Sequence, residues 1–272
     1  MRLGSLLRVA TTVRNARAMT SAAAPSARLD TLIFDIDDTL YPVSARFSEH
    51  RNGPVVAKFM CEQLGFESER EALELRDEMF REHHSTLKGL AVASAAGRTP
   101  KPFEEKSLGA YWAAHCDFAG YLPPNDALRK HLFELKALGY ELVVFTNAPR
   151  AYGLRCLESL NVRDAFADDR VFGVEDVMPH CKPEPEAFQK VLDSVGAAAE
   201  TSVMFEDSMK NVRACKALGM RTVFVDEGCA GGEAGLLGDA QTGEDVGVID
   251  ATVARIADIK SGAPWLWERR AP

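Results

Sequence analysis

The chain has 272 residues, with 32 Lys or Arg against 40 Asp or Glu, and its formal net charge is −8. The first 29 residues contain five arginines and no acid, so the remainder holds 27 basic and 40 acidic residues, a net charge of −13. Nucleic-acid binding depends on Lys and Arg contacts to phosphate, so an acidic body without a basic stripe predicts no nucleic-acid partner. The sequence also lacks the run of about 20 apolar residues that a membrane-spanning helix requires, which predicts no membrane partner.

Residues 1–29 have the composition of an organelle transit peptide. They are rich in Arg, Ser, Thr and Ala, contain no acid, and interleave apolar residues such as Leu6 and Val13. This composition predicts a location in the mitochondrion or a plastid. The alternative is a disordered N-terminus on a cytoplasmic protein.

From Asp30 onward, short continuous apolar runs alternate with amphipathic helical patterns. Continuous rather than alternating hydrophobicity indicates strands that are covered on both faces, as in a parallel sheet. Helical patterns that begin at Asn125 and Ser208 both end at a glycine and lead into the next apolar run. This repetition predicts an α/β fold with a doubly wound, Rossmann-like parallel sheet. The apolar runs are Leu32–Phe34, Leu142–Phe145, Ser202–Phe205 and Thr222–Val225, with Arg170–Val174 as a weaker fifth.

Residues 45–119 interrupt this alternation, because they contain apolar faces at helical spacing without a strand run between them. A wholly helical insertion after the first strand of an α/β domain predicts an inserted helical cap at 45–119. The α/β core would then consist of residues 30–44 and 120–272. Near its end, the apolar spacing over Asp250–Lys260 predicts a short helix.

Polar clusters follow three of the apolar runs, at the point where each predicted strand ends. The carboxyl ends of neighbouring parallel strands meet at one crevice, so these side chains are expected to lie together. Several carboxylates in one crevice provide the all-oxygen ligand set that Mg²⁺ prefers. The clusters are Asp35-Ile36-Asp37-Asp38-Thr39, Thr146-Asn147 and Glu206-Asp207-Ser208.

Such a site suits phosphoryl transfer. An ionised aspartate beside a cation attacks phosphorus and forms an aspartyl-phosphate, while a second aspartate protonates the leaving oxygen and later deprotonates water. Thr146, Asn147 and Lys182 offer a hydroxyl, an amide and a positive charge for the phosphoryl oxygens. Each piece alone has a simpler structural interpretation: an acid-rich turn, a helix cap, a solvated lysine. Their joint occurrence at the ends of successive strands favours the catalytic interpretation.

Four segments together resemble the motifs of the haloacid dehalogenase superfamily of phosphohydrolases. The resemblance covers about residues 30–230 and rests on Asp35–Thr39, Phe145–Ala148, Cys181–Pro183, and Glu206–Ser208 with Asn211. It implies that Asp35 is the nucleophile and a metal ligand, and that Asp37 is the acid and base, with its backbone carbonyl on Mg²⁺. The other roles that the resemblance implies are phosphoryl binding by Thr146, Asn147 and Lys182, metal ligation by Asp207, and assistance to the metal by Glu206 through water.

Finer features resemble the pyrimidine 5′-nucleotidase-like branch of that superfamily in eukaryotes. They are the extended first motif that ends in Tyr41-Pro42, the cap phrase His84–Leu90, and the closing segments Ile249–Ala251 and Pro264–Trp267. The resemblance implies Mg²⁺-dependent hydrolysis of nucleoside 5′-monophosphates, UMP and CMP in particular, so that the partner is a small-molecule phosphomonoester. The chain departs from the branch at His84-Ser85, where the branch has Tyr-Gly, and this departure bears on nucleobase choice. It also has Glu206-Asp207 where Asp-Asp is common.

Other functions stay open on the same motifs. The same core serves phosphatases that act on a sugar phosphate, pyridoxal phosphate or lysophosphatidate, and it serves mutases. A phospho-acceptor signalling domain uses a similar Asp, Thr and Lys around Mg²⁺ without turnover. Such a domain needs no cap, so the helical insertion favours an enzyme. The sequence leaves the oligomeric state open.

Overall fold

The computed structural model describes residues 28–228, 241, 242, 245 and 247–268 of the chain. The transit peptide expected at 1–29 lies outside these residues except for its last two positions, and it stays a prediction. The described strands are β1 Thr31–Phe34, β2 Glu141–Phe145, β3 Val171–Phe172, β4 Ser202–Glu206, β5 Arg221–Val225 and β6 Ala251–Val253. They form one parallel sheet in the order β3-β2-β1-β4-β5-β6.

Strand β1 lies at the centre of this sheet, because β2 and β4 pair with its two edges. Phe34, at its end, is fully buried and stacks on Phe205 of β4, with ring centroids 4.4 Å apart. Burial on both faces is what continuous apolar runs indicate. The predicted doubly wound parallel sheet is confirmed, and the residues that follow β1, β2 and β4 emerge side by side at one edge.

The α-helices of the described residues fall into two groups. Those inserted between β1 and β2 are α1 Phe47–His50, α2 Val56–Leu64, α3 Glu69–His83, α4 Thr86–Ala95, α5 Glu105–His115 and α6 Phe118–Tyr121, with a π-helical turn Arg51–Val55 after α1. Those that accompany the later strands are α7 Asp126–Ala137, α8 Arg150–Ser159, α9 Val174–Val177, α10 Pro185–Val195, α11 Met209–Ala217 and α12 Ile259–Gly262. We call residues 47–121 the cap and the remaining described residues the core.

The helix ends follow from local chemistry. Asn125 begins α7, because its Oδ1 accepts a hydrogen bond from the backbone N–H of Leu128 at 3.0 Å. Gly139 and Gly219 end the predicted helices with φ of 83° and 96°, a left-handed conformation that favours glycine. The helices predicted from Asn125 and Ser208 are therefore confirmed.

The end of the described chain differs from the prediction of a helix over Asp250–Lys260. Residues Ala251–Val253 form β6 instead, which pairs with β5, and the backbone N–H of Asp226 donates to Val253 O at 2.9 Å. Helical structure begins only at Ile256. The apolar spacing fits a helix, but the backbone groups at the edge of β5 bond to this segment, and tertiary pairing overrides the local pattern.

The buried apolar residues of the cap belong to the same cluster as many of those in the core, and the cap packs on the core through α5. Phe59, Leu87 and Trp112 are at most 1% exposed. Gly109 of α5 permits close approach to the start of α8, because a Cβ at this position would lie 2.9 Å from Pro149 Cβ. The cap is thus held against the loop that follows β2. Among the described residues, no helix has the length and apolarity needed to cross a membrane.

Candidate active site

A cavity of about 30 Å³ lies at the carboxyl ends of β1, β2 and β4. Core loops form most of its wall, and the cap contributes His84. Every side chain that the sequence analysis assigned to catalysis, phosphate or metal borders this one cavity. The lining residues are Asp35, Asp37, His84, Thr146, Asn147, Lys182, Pro183, Glu206, Asp207, Ser208, Lys210 and Asn211.

Lys182 joins two carboxylates within the cavity. Its Nζ lies 2.6 Å from Asp35 Oδ1 and 2.8 Å from Glu206 Oε2, and the residue is 1% exposed. Burial alone would lower the pKa of the ammonium group, but Asp35 and Glu206 outweigh this effect and raise the pKa of Lys182 above its ordinary value. Lys182 therefore provides a fixed positive charge.

Asp35 lies where a negative charge is costly. Its backbone N–H donates to Phe205 O at 3.1 Å, which fixes the residue beside the end of β4. Burial raises the pKa of the Asp35 carboxyl well above its ordinary value, against the opposing charge of Lys182, and the nearby carboxylates of Glu206 and Asp37 raise it further. An ionised Asp35 thus depends on positive charge supplied at this cavity.

Asp35, Glu206 and Asp207 form a cluster that suits a divalent cation. One carboxylate oxygen from each lies within 4.8 Å of the others. Thr39 Oγ1 donates to Asp207 Oδ1 at 3.2 Å and so orients that carboxylate from the turn after β1. Three clustered carboxylates beside one ammonium group leave a net negative charge with oxygen donors, the environment that Mg²⁺ prefers.

Asp37 has different partners, at the boundary between core and cap. Its Oδ1 accepts hydrogen bonds from Tyr41 Oη at 2.5 Å and Tyr152 Oη at 2.8 Å, and its Oδ2 lies 2.7 Å from Arg51 Nη1. Burial alone would raise the pKa of Asp37, but the charge and hydrogen bond of Arg51, together with the two tyrosine hydroxyls, lower it below its ordinary value. The Asp37 carboxylate bonds to these three partners and is not part of the carboxylate cluster of Asp35, Glu206 and Asp207.

Thr146 and Asn147 connect the loops around the cavity. Thr146 Oγ1 lies 3.4 Å from Asp37 Oδ2 and accepts from the backbone N–H of Ala148 at 3.0 Å. Asn147 Nδ2 donates to Lys182 O at 2.7 Å and to His84 O at 3.0 Å, while its Oδ1 accepts from the backbone N–H of Lys182 at 2.9 Å. The Asn147 side chain is thus engaged in joining core and cap loops, and the binding of the phosphoryl group by Asn147, through its amide or its backbone N–H, stays a prediction.

The turn between α3 and α4 brings the cap to the cavity. His84 adopts a left-handed conformation there, with φ of 57°. Ser85 Oγ donates to Asn147 O at 2.8 Å, and Lys88 of α4 forms an ion pair with Glu184 of the core. We call the contacts Ser85–Asn147 and Lys88–Glu184 the cap–core seam. The seam thus joins cap and core beside His84 and Asn147, which border the cavity.

The sequence analysis did not identify the residues around Asp37. Arg51 lies in a π-helical turn that contains Gly53 and Pro54, and Tyr152 is 115 positions from Asp37 in the chain. No short motif links such distant positions. Of the residues that contact Asp37 from outside the predicted site, only Tyr41 belongs to a recognised motif, the extended first motif, and that motif assigns it no role.

The chain is similar in sequence to several curated proteins, which differ in their identity to it and in the share of each chain that the similarity covers. The chain is 28% identical over 204 residues to phosphate metabolism protein 8 of Saccharomyces cerevisiae, covering 70% of this chain and 60% of the yeast protein. It is 32% identical over 107 residues to phosphorylated carbohydrates phosphatase of Thermotoga maritima, covering 39% of this chain and 48% of the relative. It is 25% identical over 210 residues to glyceraldehyde 3-phosphate phosphatase of Methanopyrus kandleri, covering 72% and 84%. The chain thus spans less than two thirds of the length of the yeast and Thermotoga proteins.

Solved structures share the fold. CbbY of Rhodobacter sphaeroides in complex with phosphate superposes with a TM-score of 0.56 at 18% identity, covering 85% of this chain and 96% of CbbY. Beta-phosphoglucomutase of Clostridium difficile superposes with a TM-score of 0.53 at 15% identity, covering 89% and 96%. The haloacid dehalogenase-like hydrolase family model matches residues 29–219, which include every residue that lines the cavity. Because this match covers most of the sequence and the whole site, the chain belongs to the haloacid dehalogenase-like hydrolases.

Proposed function

We propose that the chain is a Mg²⁺-dependent phosphomonoesterase that hydrolyses nucleoside 5′-monophosphates, with UMP and CMP preferred, through an aspartyl-phosphate on Asp35. The observation that carries the chemistry is the contact of Asp35 with Lys182 at 2.6 Å, in a cavity that also holds the carboxylates of Glu206 and Asp207. Membership of a hydrolase family supports the same reaction class. The phosphatase names of the Thermotoga and Methanopyrus relatives support it further.

The clustered carboxylates identify the residues that would hold Mg²⁺: Asp35 and Asp207, with Glu206 beside them. When bound, the cation offsets negative charge on the phosphoryl oxygens. Lys182 adds a permanent charge at the same place, already desolvated and fixed by two carboxylates. The two positive charges together favour both an ionised Asp35 and the approach of a dianionic phosphoester.

Asp35 and Asp37 carry the two half-reactions. The Asp35 carboxylate forms a bond to phosphorus while the bond to the leaving oxygen breaks. Because Arg51 favours the ionised form of Asp37, Asp37 first takes up a proton from solvent and then gives it to the leaving oxygen. In the second half-reaction, Asp37 takes a proton from water as the water oxygen bonds to phosphorus and the Asp35–phosphorus bond breaks. Inorganic phosphate leaves, the Asp35 carboxylate is restored, and Asp37 is again protonated.

The lining of the cavity indicates how substrate enters. The core residues surround the position of the phosphoryl group, and His84 of the cap borders the same cavity. The core walls are anchored in the sheet, so we expect the cap to move when substrate enters. Its return brings His84 to the leaving group and limits the water that reaches the aspartyl-phosphate.

Nucleotide preference rests on the resemblance of Asp38–Pro42 and His84–Leu90 to the pyrimidine 5′-nucleotidase-like branch. His84 borders the cavity, and a nucleoside is large enough to contact the cap loop that carries it. Sugar phosphates are the second candidate class. Two curated relatives, which are named as phosphatases of phosphorylated carbohydrates and of glyceraldehyde 3-phosphate, favour that class.

A panel of phosphoesters separates these candidates. Phosphate release with Mg²⁺ is measured on UMP, CMP, dTMP, AMP, GMP, pyridoxal phosphate, phosphoglycolate and common sugar phosphates. We expect kcat/KM for UMP and CMP to exceed the other values by about tenfold or more. Equal rates, or a preference for sugar phosphates, would overturn the nucleotide part and leave the phosphatase part. Stable phosphorylation of Asp35 without turnover on any substrate would instead identify a phospho-acceptor domain.

A further inference from the structure

We propose that Arg51, a cap residue, is a positioning residue that fixes the Asp37 carboxyl group for acid–base catalysis and ties this catalysis to the seating of the cap. The proposal rests on the proposed function, in which Asp37 transfers protons to and from the substrate oxygens. Arg51 acts through Asp37 and does not line the cavity where the phosphoryl group binds.

Arg51 is held rigidly between two aromatic rings. Its guanidinium carbon lies 4.8 Å from the ring centroid of Trp112 in the cap and 4.7 Å from that of Tyr152 in the core, and the residue is 2% exposed. A planar guanidinium stacked in this way has few orientations, and its N–H groups point in fixed directions. Nη1 points at Asp37 Oδ2, 2.7 Å away.

The Asp37 carboxyl group is held at both oxygens. Tyr41 and Tyr152 donate to Oδ1, and Arg51 donates to Oδ2, where Thr146 Oγ1 is a more distant donor at 3.4 Å. The three close donors come from different parts of the molecule: the loop after β1, helix α8 of the core, and the cap. Rotation of the carboxyl group about its Cβ–Cγ bond would break contacts at both oxygens. Asp37 therefore has one orientation while all three donors are in place.

Stability alone does not account for the pair of Arg51 and Asp37. Desolvation of two charges offsets most of their attraction, and apolar residues of similar volume often stabilise a buried site as well or better. The pair also lies at the one place where orientation matters for chemistry, because Asp37 borders the cavity. A positioning role explains why a buried charge pair is found there.

The arrangement also couples Asp37 to the cap. Arg51 and Trp112 belong to the cap, whereas Tyr152 and Asp37 belong to the core. A cap movement that admits substrate separates Arg51 from Tyr152 and Asp37, so Oδ2 loses its charged partner. The carboxyl group regains its full set of donors only when the cap returns.

The test compares Arg51→Lys with a matched variant, Arg76→Lys. Arg76 is also 2% exposed, pairs with Asp77 and lies 4.4 Å from the Phe80 ring, but it does not contact Asp37. Phosphate release from p-nitrophenyl phosphate with Mg²⁺ gives kcat and KM, and competition by inorganic phosphate gives its Ki. We expect Arg51→Lys to lower kcat by about tenfold or more, since acid–base catalysis contributes about 10²- to 10⁴-fold. The Ki of inorganic phosphate should stay within about twofold of wild type.

Arg76→Lys should lower the melting temperature by a similar amount and leave kcat unchanged. Wild-type kcat in folded Arg51→Lys, an equal loss of kcat in both lysine variants, or a raised Ki with unchanged kcat would each overturn the proposal. The last result would mean that Arg51 binds the phosphoryl group.

If Arg51→Lys does not fold, the Tyr41→Phe, Tyr152→Phe double variant decides the question. It removes only the two hydroxyl donors to Oδ1, and unchanged kcat would overturn the fixed orientation of Asp37. Absence of turnover in wild type would instead reject the proposed function.

Discussion

Asp35 and Asp37 are two positions apart, yet different regions of the molecule form their surroundings. The cation beside Asp35 is Lys182 of the core, and the cation beside Asp37 is Arg51 of the cap. Both cations are at most 2% exposed. The core alone therefore surrounds the proposed nucleophile, whereas the surroundings of the proposed acid and base include a residue of the cap.

The two cations also have different surroundings. Lys182 contacts Asp35 and Glu206, so it keeps a carboxylate partner if one of them is removed. Arg51 pairs with Asp37, donates to Asn52 Oδ1 at 3.3 Å and lies between two aromatic rings. Loss of a buried partner is strongly destabilising when it leaves a charge uncompensated. Substitutions at the two aspartates should therefore differ in their effect on stability as well as on chemistry.

The largest effect is expected from Asp35→Asn. An amide cannot form the acyl-phosphate, so phosphate release should fall on the order of a thousandfold or more. The melting temperature should stay near that of wild type, because Glu206 still neutralises Lys182. Phosphate release and thermal melts on the same preparation check both parts. Substantial activity in Asp35→Asn would reject the proposed nucleophile.

Asp37→Asn should slow turnover by about a hundredfold or more and should slow both half-reactions. Rapid-quench measurement of labelled phosphoenzyme formation and decay separates the two steps. Unlike Asp35→Asn, this variant should also lower the melting temperature by several degrees, because the buried Arg51 guanidinium loses the carboxylate that lies 2.7 Å from it. Equal melting temperatures for the two asparagine variants would contradict the difference between the core and cap surroundings.

Thr39→Val tests the core residues around the proposed metal site, and its expected effect on activity is smaller. The Thr39 hydroxyl orients Asp207, and loss of a contact that orients a metal ligand typically costs 10- to 100-fold in metal affinity. We expect the Mg²⁺ concentration for half-maximal activity to rise about tenfold. Thr31→Val is the matched control, since Thr31 is equally buried in β1 but bonds to Asp30. A similar rise in both variants would mean that Thr39 has no specific role at the metal.

The core residues around Asp35 could be predicted from the sequence, whereas the contact of the cap residue Arg51 with Asp37 could not. Strands β1, β2, β4 and β5 were predicted within one residue of their ends, because residues buried on both faces give continuous apolar runs. The polar residues after them then meet by the geometry of a parallel sheet. The edge strand β6 was missed, because three residues are too few for periodicity to separate a strand from a helix.

The partners of Asp37 depend on tertiary docking. Arg51 reaches Asp37 only because α5 approaches α8 at Gly109 and the cap settles on the core. A solvated arginine and a buried one look alike in a sequence, since burial is set by what packs against the side chain. The same holds for Asn147, whose side chain joins the loops of Lys182 and His84 through contacts that no motif specifies.

The smallest effect should come from the cap–core seam. Lys88→Met removes the Lys88–Glu184 ion pair, a partly exposed contact worth about 1 kcal/mol or less, so the cap should open up to about fivefold more often. Cys181 reports this opening, because its thiol is buried against the cap and donates to His83 O at 3.0 Å. Its labelling by a thiol reagent, mapped by mass spectrometry, should accelerate by the same factor.

Cys215 provides the control for this measurement, because it is fully buried in the core and should label at the wild-type rate in Lys88→Met. Burial raises the pKa of Cys181 to about 12, and the charge of Lys88 partly opposes this rise. Removal of Lys88 therefore raises the pKa further and by itself slows the thiol. Lys88 Nζ lies 3.8 Å from Cys181 Sγ, so faster labelling of Cys181 against this pKa change would indicate opening at this contact between cap and core. The pH dependence of labelling gives the thiolate fraction in each variant. A rate that does not rise once it is corrected for this fraction would mean that the ion pair does not help to hold the cap on the core.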